Sequence, residues 1–163
     1  MVEPMYHAVL AIDPGTTTGW ALVTVPHKGG DIHLDAHGAS WWFKAANEID
    51  AILHDYVISE VVAEKFTIAP RTIRGTRSGP EDALGMLGVV RLLAHRVGVP
   101  LVLQNPSTAK TAVPDRMIRD ELGWLDRLKT PHERDAVRHA IVAHRRVRTW
   151  LPAQPDMKLL ERH

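Results

Sequence analysis

HAVLAIDPGTTTGW, residues 7–20, decides how the rest of the chain is read. It opens as an apolar run without alternation, AVLAI at residues 8–12. A strand that is apolar at every position is one covered on both faces, the habit of a central strand in an α/β sheet. The run stops at an acid, Asp13, and turns at once through Pro14 and Gly15. A carboxylate at the carboxyl end of such a strand lies at the crevice where α/β sheets place their ligands. Asp-Pro-Gly is also ordinary turn chemistry, so position alone leaves Asp13 between a turn cap and a functional acid.

Residues 16–25 (TTTGWALVTV) are rich in Thr and Val and read as a second strand; residues 31–42 (DIHLDAHGASWW) read as a weaker third. Three strands joined by short turns predict an antiparallel meander. Residues 45–56 place Ile49, Ile52, Leu53 and Tyr56 at helical spacing, the pattern of an amphipathic helix lying on the sheet. Residues 59–64 (SEVVAE) read as a short buried strand that again ends in an acid, Glu64. Residues 65–80 carry Arg71, Arg74 and Arg77 among Gly, Ser and Pro with no period, and read as a mobile basic loop.

Residues 81–98 read as a helix, with acids in the first turn and Gly98 at its end. Its small residues Ala83, Gly85 and Gly88 would let another backbone come close. Residues 99–104 (VPLVLQ) read as a fifth strand, and residues 107–113 and 115–122 as short helical pieces split by Pro114. Residues 131–150 read as the last long helix, with Thr130 as N-cap and Pro131 at its first position. The order βββαβαβα predicts a ribonuclease H-like α/β fold, a five-stranded mixed sheet flanked by helices. It forms one domain over residues 1–150, with residues 151–163 as a loosely held tail.

A chain of 163 residues is large enough for one sizeable core, and 45% apolar with 24% charged residues suits a soluble globular protein. With 20 basic and 19 acidic side chains the net charge is +1, so a case for nucleic acid must come from clustering. The absence of Cys excludes disulfides and thiolate sites and fits a reducing compartment, while 10 His keep metal chemistry open. No run approaches bilayer length and the amino terminus lacks a signal pattern, so a cytoplasmic protein without a membrane partner is expected.

The last helix contains HERDAVRHA at residues 132–140. His132, Asp135 and His139 fall within roughly 60° of one another on a helix. Beside them Ala136, Ala140, Ala143 and Val147 form a small apolar stripe that should press on the sheet, while Arg134, Arg138 and Arg145 make a separate basic strip. Asp13 and Glu64 end strands expected to be neighbours, so Asp13, Glu64, Asp135 and His132 would meet in one crevice. Carboxylates so close raise one another's pKa unless a cation neutralises them. Oxygen-rich sites suit Mg²⁺ or Mn²⁺, and two such ions about 4 Å apart can hydrolyse a phosphodiester. The plainer reading gives His132 to the helix start and Asp135 to Arg138 or Arg134. Spacing alone leaves both open.

The sequence resembles the RuvC family of Holliday-junction resolvases, and especially its phage-encoded relatives. The resemblance rests on AIDPGTTTGWAL (11–22), VVAEKF (61–66), VPLVLQNPSTAKTAV (99–113) and HERDAVRHA (132–140), in the family's order. It implies a divalent-metal-dependent endonuclease that resolves Holliday junctions and other branched DNA in recombination and repair. It also implies Mg²⁺ (or Mn²⁺), two ions, and a homodimer matched to a four-way junction. By resemblance Asp13, Glu64, His132 and Asp135 are metal ligands. His132 stands where many members have Asp, which tilts preference toward Mn²⁺. Lys110 matches the lysine near the scissile phosphate; His139 matches no ligand.

Lys65, Phe66, Arg71, Arg74 and Arg77 are the DNA-binding set, with Arg138, Arg145 and Arg146 as lesser candidates. Phe66 lies one residue nearer the acid than the base-stacking aromatic of the bacterial enzymes. Thr16, Thr17 and Thr18 are candidate phosphate contacts, and the helix bearing Met86, Leu87, Val90 and Leu93 is the candidate dimer interface. The basic loop lacks the asparagine-containing sequence of bacterial members. That leaves strict four-way selectivity open and points to a bacteriophage source, acting in the host cytoplasm. Competing readings are a same-fold nuclease on flap, fork or RNA-containing substrates, and a non-catalytic ribonuclease H-like nucleic-acid-binding protein.

Overall fold

A computed structural model describes residues 6–27, 30–66 and 80–150, with side chains as far as residue 147. Strand β1 (Tyr6–Asp13) pairs antiparallel with β2 (Thr17–Pro26), which pairs antiparallel with β3 (His33–Trp41). On its other edge β1 pairs in parallel with β4 (Glu60–Glu64), which pairs in parallel with β5 (Leu101–Gln104). The resulting five-stranded mixed sheet has the order β3-β2-β1-β4-β5. Helices α1 (Trp42–Asp55) and α2 (Pro80–Val97) cover one face. Helix α4 (Pro131–Trp150) covers the other, beside α3 (Pro106–Ala112) and a π-helical turn (Met117–Glu121). This is the ribonuclease H-like arrangement expected from the order of elements.

From Ala8 to Ile12 β1 is apolar without alternation because it is buried on both faces. Ala8, Leu10 and Ile12 face α1 and α2, while Val9 and Ala11 face α4. On α4 the stripe Ala136, Ala140 and Ala143 is fully buried, so the helix axis lies close to the sheet, as small side chains allow. Gly98 ends α2 at φ 72°, the left-handed region where glycine is favoured.

Some details differ from expectation. Helix α1 begins at Trp42 rather than residue 45, because the Trp42 amide donates to Thr16 O (3.1 Å), giving a first-turn donor a partner without a side-chain cap. Met86, Leu87, Val90 and Leu93 belong to the chain's own core, so they are not free to form a dimer interface. A Cβ at Gly85 or Gly88 would meet nothing within 4 Å, so no backbone comes close to them here. Most of the basic loop (67–79), with Arg71, Arg74 and Arg77, and the tail (151–163) lie outside the described residues.

The start of α4 is fixed more firmly than one N-cap would allow. Glu133 Oε2 accepts from the Thr130 amide (2.7 Å) and the Glu133 amide donates to Thr130 Oγ1 (3.1 Å), a reciprocal capping box. The other oxygen of this buried carboxylate accepts from His37 Nδ1 on β3 at 2.8 Å. Burial pushes the Glu133 carboxyl up, but the hydrogen bonds from His37 and Thr130 outweigh it and hold the carboxyl below its usual range. A carboxylate depressed on folding adds stability above its unfolded pKa, and that stability is lost as pH falls through the folded value. Glu133→Gln should therefore be less stable than the wild type near neutrality. The gap in urea midpoint should close as pH drops below 4.5, the unperturbed value. A gap that stays constant down to acid pH would refute this account.

Candidate active site

The parallel register sets Ile12 opposite Ala63, so the next residues, Asp13 and Glu64, finish side by side at one edge of the sheet. Across the antiparallel pair Asp13 lies opposite Gly19. The first turn of α4 rests directly on that glycine: a Cβ there would stand 2.3 Å from the backbone C and O of His132. Gly19 is not at positive φ, so space and not backbone conformation requires glycine. The close approach brings His132 Nδ1 to 2.8 Å from Asp13 Oδ2. Sequence reasoning overlooked Gly19; its position opposite Asp13 in the meander was the available signal.

Asp13 is 7% exposed, and its carboxyl is pushed up to about 6. Burial is the largest cause, and the charges of Glu64 and Asp135 add to it; the His132 hydrogen bond and charge oppose it. Three carboxylates therefore share one electrostatic neighbourhood.

Each is held by its own partner. Glu64 Oε2 accepts from His139 Nε2 at 3.1 Å, and His139, 1% exposed, places Nδ1 3.0 Å from Gln104 Oε1. His139, left without a role by the resemblance, thus positions Glu64. Gln104 was overlooked, although it ends β5 opposite Glu64. Asp135 pairs through Oδ2 with Lys110 Nζ (3.1 Å) and through Oδ1 with Arg138, so the plainer reading of Asp135 also holds. Lys110, 56% exposed, reaches this edge from α3.

The lesser cation candidates are committed elsewhere. Arg138, 12% exposed, bonds Asp135, Asp115 and Val113 O; Arg145 bonds Ala112 O; Arg146 bonds Glu60. These bonds fasten α4 to its surroundings, while Arg145 remains exposed. Thr18 is buried, donating to Gly15 O (2.9 Å) and accepting from the Gly15 amide, so it holds the turn after Asp13. Thr16 donates to Asp82 on α2 at 2.8 Å, and Thr17 is the exposed member of the three. Lys65 is exposed and Phe66 half-buried, immediately beyond Glu64.

Asp13, Glu64, Asp135 and His132 are the acids and the imidazole gathered at this end of the sheet. Among the described residues, as their side chains stand, no group of three or more His, Asp or Glu is placed to hold a metal ion. The His132 side chain is 42% exposed, with Nδ1 engaged by Asp13.

No protein-family model and no curated protein matches the sequence. Solved structures do. RuvC of T. thermophilus, in complex with a Holliday junction substrate, matches at TM-score 0.69 and 22% identity over 87% of this chain and 96% of that one. The chain has the RuvC fold. The fowlpox virus Holliday junction resolvase matches at TM-score 0.56 and 16% identity, over 88% of this chain and 99% of that one. The yeast mitochondrial Holliday junction resolvase Ydc2 matches at 0.51 and 12%, over 86% and 78%.

Gly19→Ala tests the geometry that assembles this edge. Overpacking costs about 1–3 kcal/mol, and rigid helix backbone places this case at the upper end, so Tm should fall on the order of 10 °C. The His132 ring signals should shift as the ring leaves Asp13. An unchanged Tm would show that α4 does not press on Gly19.

Proposed function

We propose that the chain is a divalent-metal-dependent, structure-specific endonuclease that hydrolyses phosphodiesters in branched DNA, with four-way junctions its foremost substrate, in DNA recombination and repair. The observation that carries this reading is a buried acid, Asp13, raised to about 6 by burial and by the charges of Glu64 and Asp135. Such a cluster favours a cation, and its carboxylate oxygens with one imidazole suit Mg²⁺ or Mn²⁺. Two structural neighbours, RuvC and the fowlpox resolvase, were solved with Holliday junction DNA, which supports the substrate class.

Asp13, Glu64, His132 and Asp135 would hold the ions, probed as a pair. The ions would supply an acidified water for attack and positive charge for the phosphate. The chain's own residues do the positioning. Asp13 stands on the doubly buried β1, and its bond to His132 Nδ1 presents Nε2 outward. His139, itself anchored on Gln104, aims Glu64. Arg138 stays on Asp135 while the more exposed Lys110 turns to a phosphate oxygen and offsets charge developing there. Lys65 and Phe66, with Arg71, Arg74 and Arg77 of the basic stretch that follows them in sequence, receive the flanking strand through phosphate contacts and stacking. A two-fold homodimer would match the paired cuts of a junction, and α2 offers exposed Leu84 and Leu92 for it. Among the described residues no helix is long and apolar enough to cross a membrane.

Asp13→Asn and Glu64→Gln should each lose at least about 100-fold in cleavage of a synthetic four-way junction while still shifting it in a gel. Lys110→Ala should lose about 100-fold or more in kcat with affinity nearly unchanged. His139→Ala should need about 10- to 100-fold more metal for half-maximal cutting. A wild-type chain that leaves junctions, flaps and duplex intact in both Mg²⁺ and Mn²⁺ would overturn the catalytic reading. Equal cutting of flaps, forks and RNA-containing substrates would remove its junction preference.

A further inference from the structure

We propose that Trp41, backed by Phe43, is a stacking platform for an unpaired base of the nucleic-acid substrate, set beside the carboxylates. The proposal rests on the branched-DNA reading above and assigns a contact to residues outside its catalytic and loop sets.

Strand β3 ends at Trp41 and α1 begins at Trp42, with no loop between them. Trp41 is 58% exposed and Phe43 51%, an unusual display for two adjacent large aromatics. Their rings are pre-set. Phe43 stacks on the partly buried Trp42 at 3.6 Å between centroids and meets Trp41 edge-on at 4.8 Å. The Trp42 amide is tied to Thr16 O, in the turn that follows Asp13.

Register decides where Trp41 faces. Trp41 lies opposite Thr17, Ala39 opposite Gly19 and His37 opposite Ala21. Gly19 lies beneath His132, and His37 bonds Glu133 of α4. Period-two alternation therefore puts Trp41 on the α4 face, the face of Asp13. It stands two residues beyond Ala39, past the start of the helix, which explains its exposure. Asp13 is two strands away, so strand spacing and rise separate the two Cα atoms by on the order of 12 Å. That is about three to four base steps at 3.4 Å.

A single nucleobase fits this place better than a protein. A stable protein interface needs about 800 Å² per partner, far more than two ring faces. A base needs one flat π surface, and stacking on it tolerates any sequence. The next residue, Lys44, has its side chain 74% exposed and pairs with Glu48 at 3.5 Å, a loose surface pair that an accompanying phosphate would have to compete with for the ammonium. A branch point is where bases lose a stacking neighbour, so the platform distinguishes branched DNA from plain duplex.

The test uses the full chain in EDTA, with a four-way junction carrying 2-aminopurine at the branch and a plain duplex as control. Trp41→Ala should bind the junction about tenfold more weakly and leave duplex affinity unchanged. The wild type should quench the 2-aminopurine and Trp41→Ala should not; Trp41→Phe should restore most of both. Phe43→Ala, which removes only the backing ring, should fall between. Equal junction affinity and quenching in wild type and Trp41→Ala overturns the platform while leaving nuclease activity, measured separately with Mg²⁺, intact. A wild type that neither binds nor cuts branched DNA overturns both. Dissociation of a dimer by Trp41→Ala, with junction binding unaltered, reassigns the patch to a second copy of the chain and overturns the proposal.

Discussion

The acidic edge of this molecule depends on one backbone-to-backbone approach, the first turn of α4 lying against Gly19 of β2. A side chain at that position would hold the helix off the sheet by the radius of a methyl group or more. His132 would then lie out of reach of Asp13, and Asp135, one turn further on, would move away with it. The capping box formed by Thr130 and Glu133, together with the Glu133–His37 bond, fixes the same turn from the other side. The helix start is thus located by steric permission beneath and by charged hydrogen bonding at its flank. The stripe Ala136, Ala140 and Ala143 extends the close contact along the sheet.

The two ends of the sheet treat buried charge differently. At the start of β4 the buried Glu60 pairs through Oε2 with the guanidinium of Arg146, while its Oε1 is buried without a hydrogen-bond partner. At the other end Asp13, Glu64 and Asp135 crowd together, and two of their partners are imidazoles, which carry at most one charge each. Among the described residues Lys110 and Arg138 both pair with Asp135, and Lys65 follows Glu64 at the surface. The Asp13 carboxyl is pushed up to about 6, by burial first and then by the charges of Glu64 and Asp135. A fold stabilised for its own sake has little reason to bury an acid beside two others, and perturbed acids of this kind concentrate at working sites.

The sheet and its order were legible because the pattern was local. A doubly apolar β1, the Thr- and Val-rich β2, and Pro131 with Thr130 at the start of α4 each declare themselves within a few residues. The convergence of Asp13 and Glu64 followed from parallel strands ending at the same level. Less legible were contacts set by depth rather than spacing. Nothing local says that Gly19 lies under a helix, that His139 reaches Glu64 across 75 positions of sequence, or that Gln104 supports it. The partners of Arg138 and Arg145 were hidden for a related reason. A cation strip on a helix does not declare the carboxylates and carbonyls that it meets, here Asp115, Asp135, Val113 O and Ala112 O.

The partner-holding arrangement bears on how such an edge could work. Each carboxylate is satisfied within the chain, so the protein folds with its acids aimed but not locked together. Imidazole partners suit this role, because His139 donates one hydrogen bond to Glu64 and leaves the other carboxylate oxygen for a ligand. Lys110 differs from Arg138 in the same respect. It is exposed, flexible and bound to Asp135 by one contact, whereas Arg138 is anchored at three points and scarcely exposed. A cation entering beside Asp135 would displace the lysine before the arginine. On the nuclease reading proposed above, the displaced ammonium would be left beside the phosphate, so that relief of the acid cluster and recruitment of phosphate would be one event.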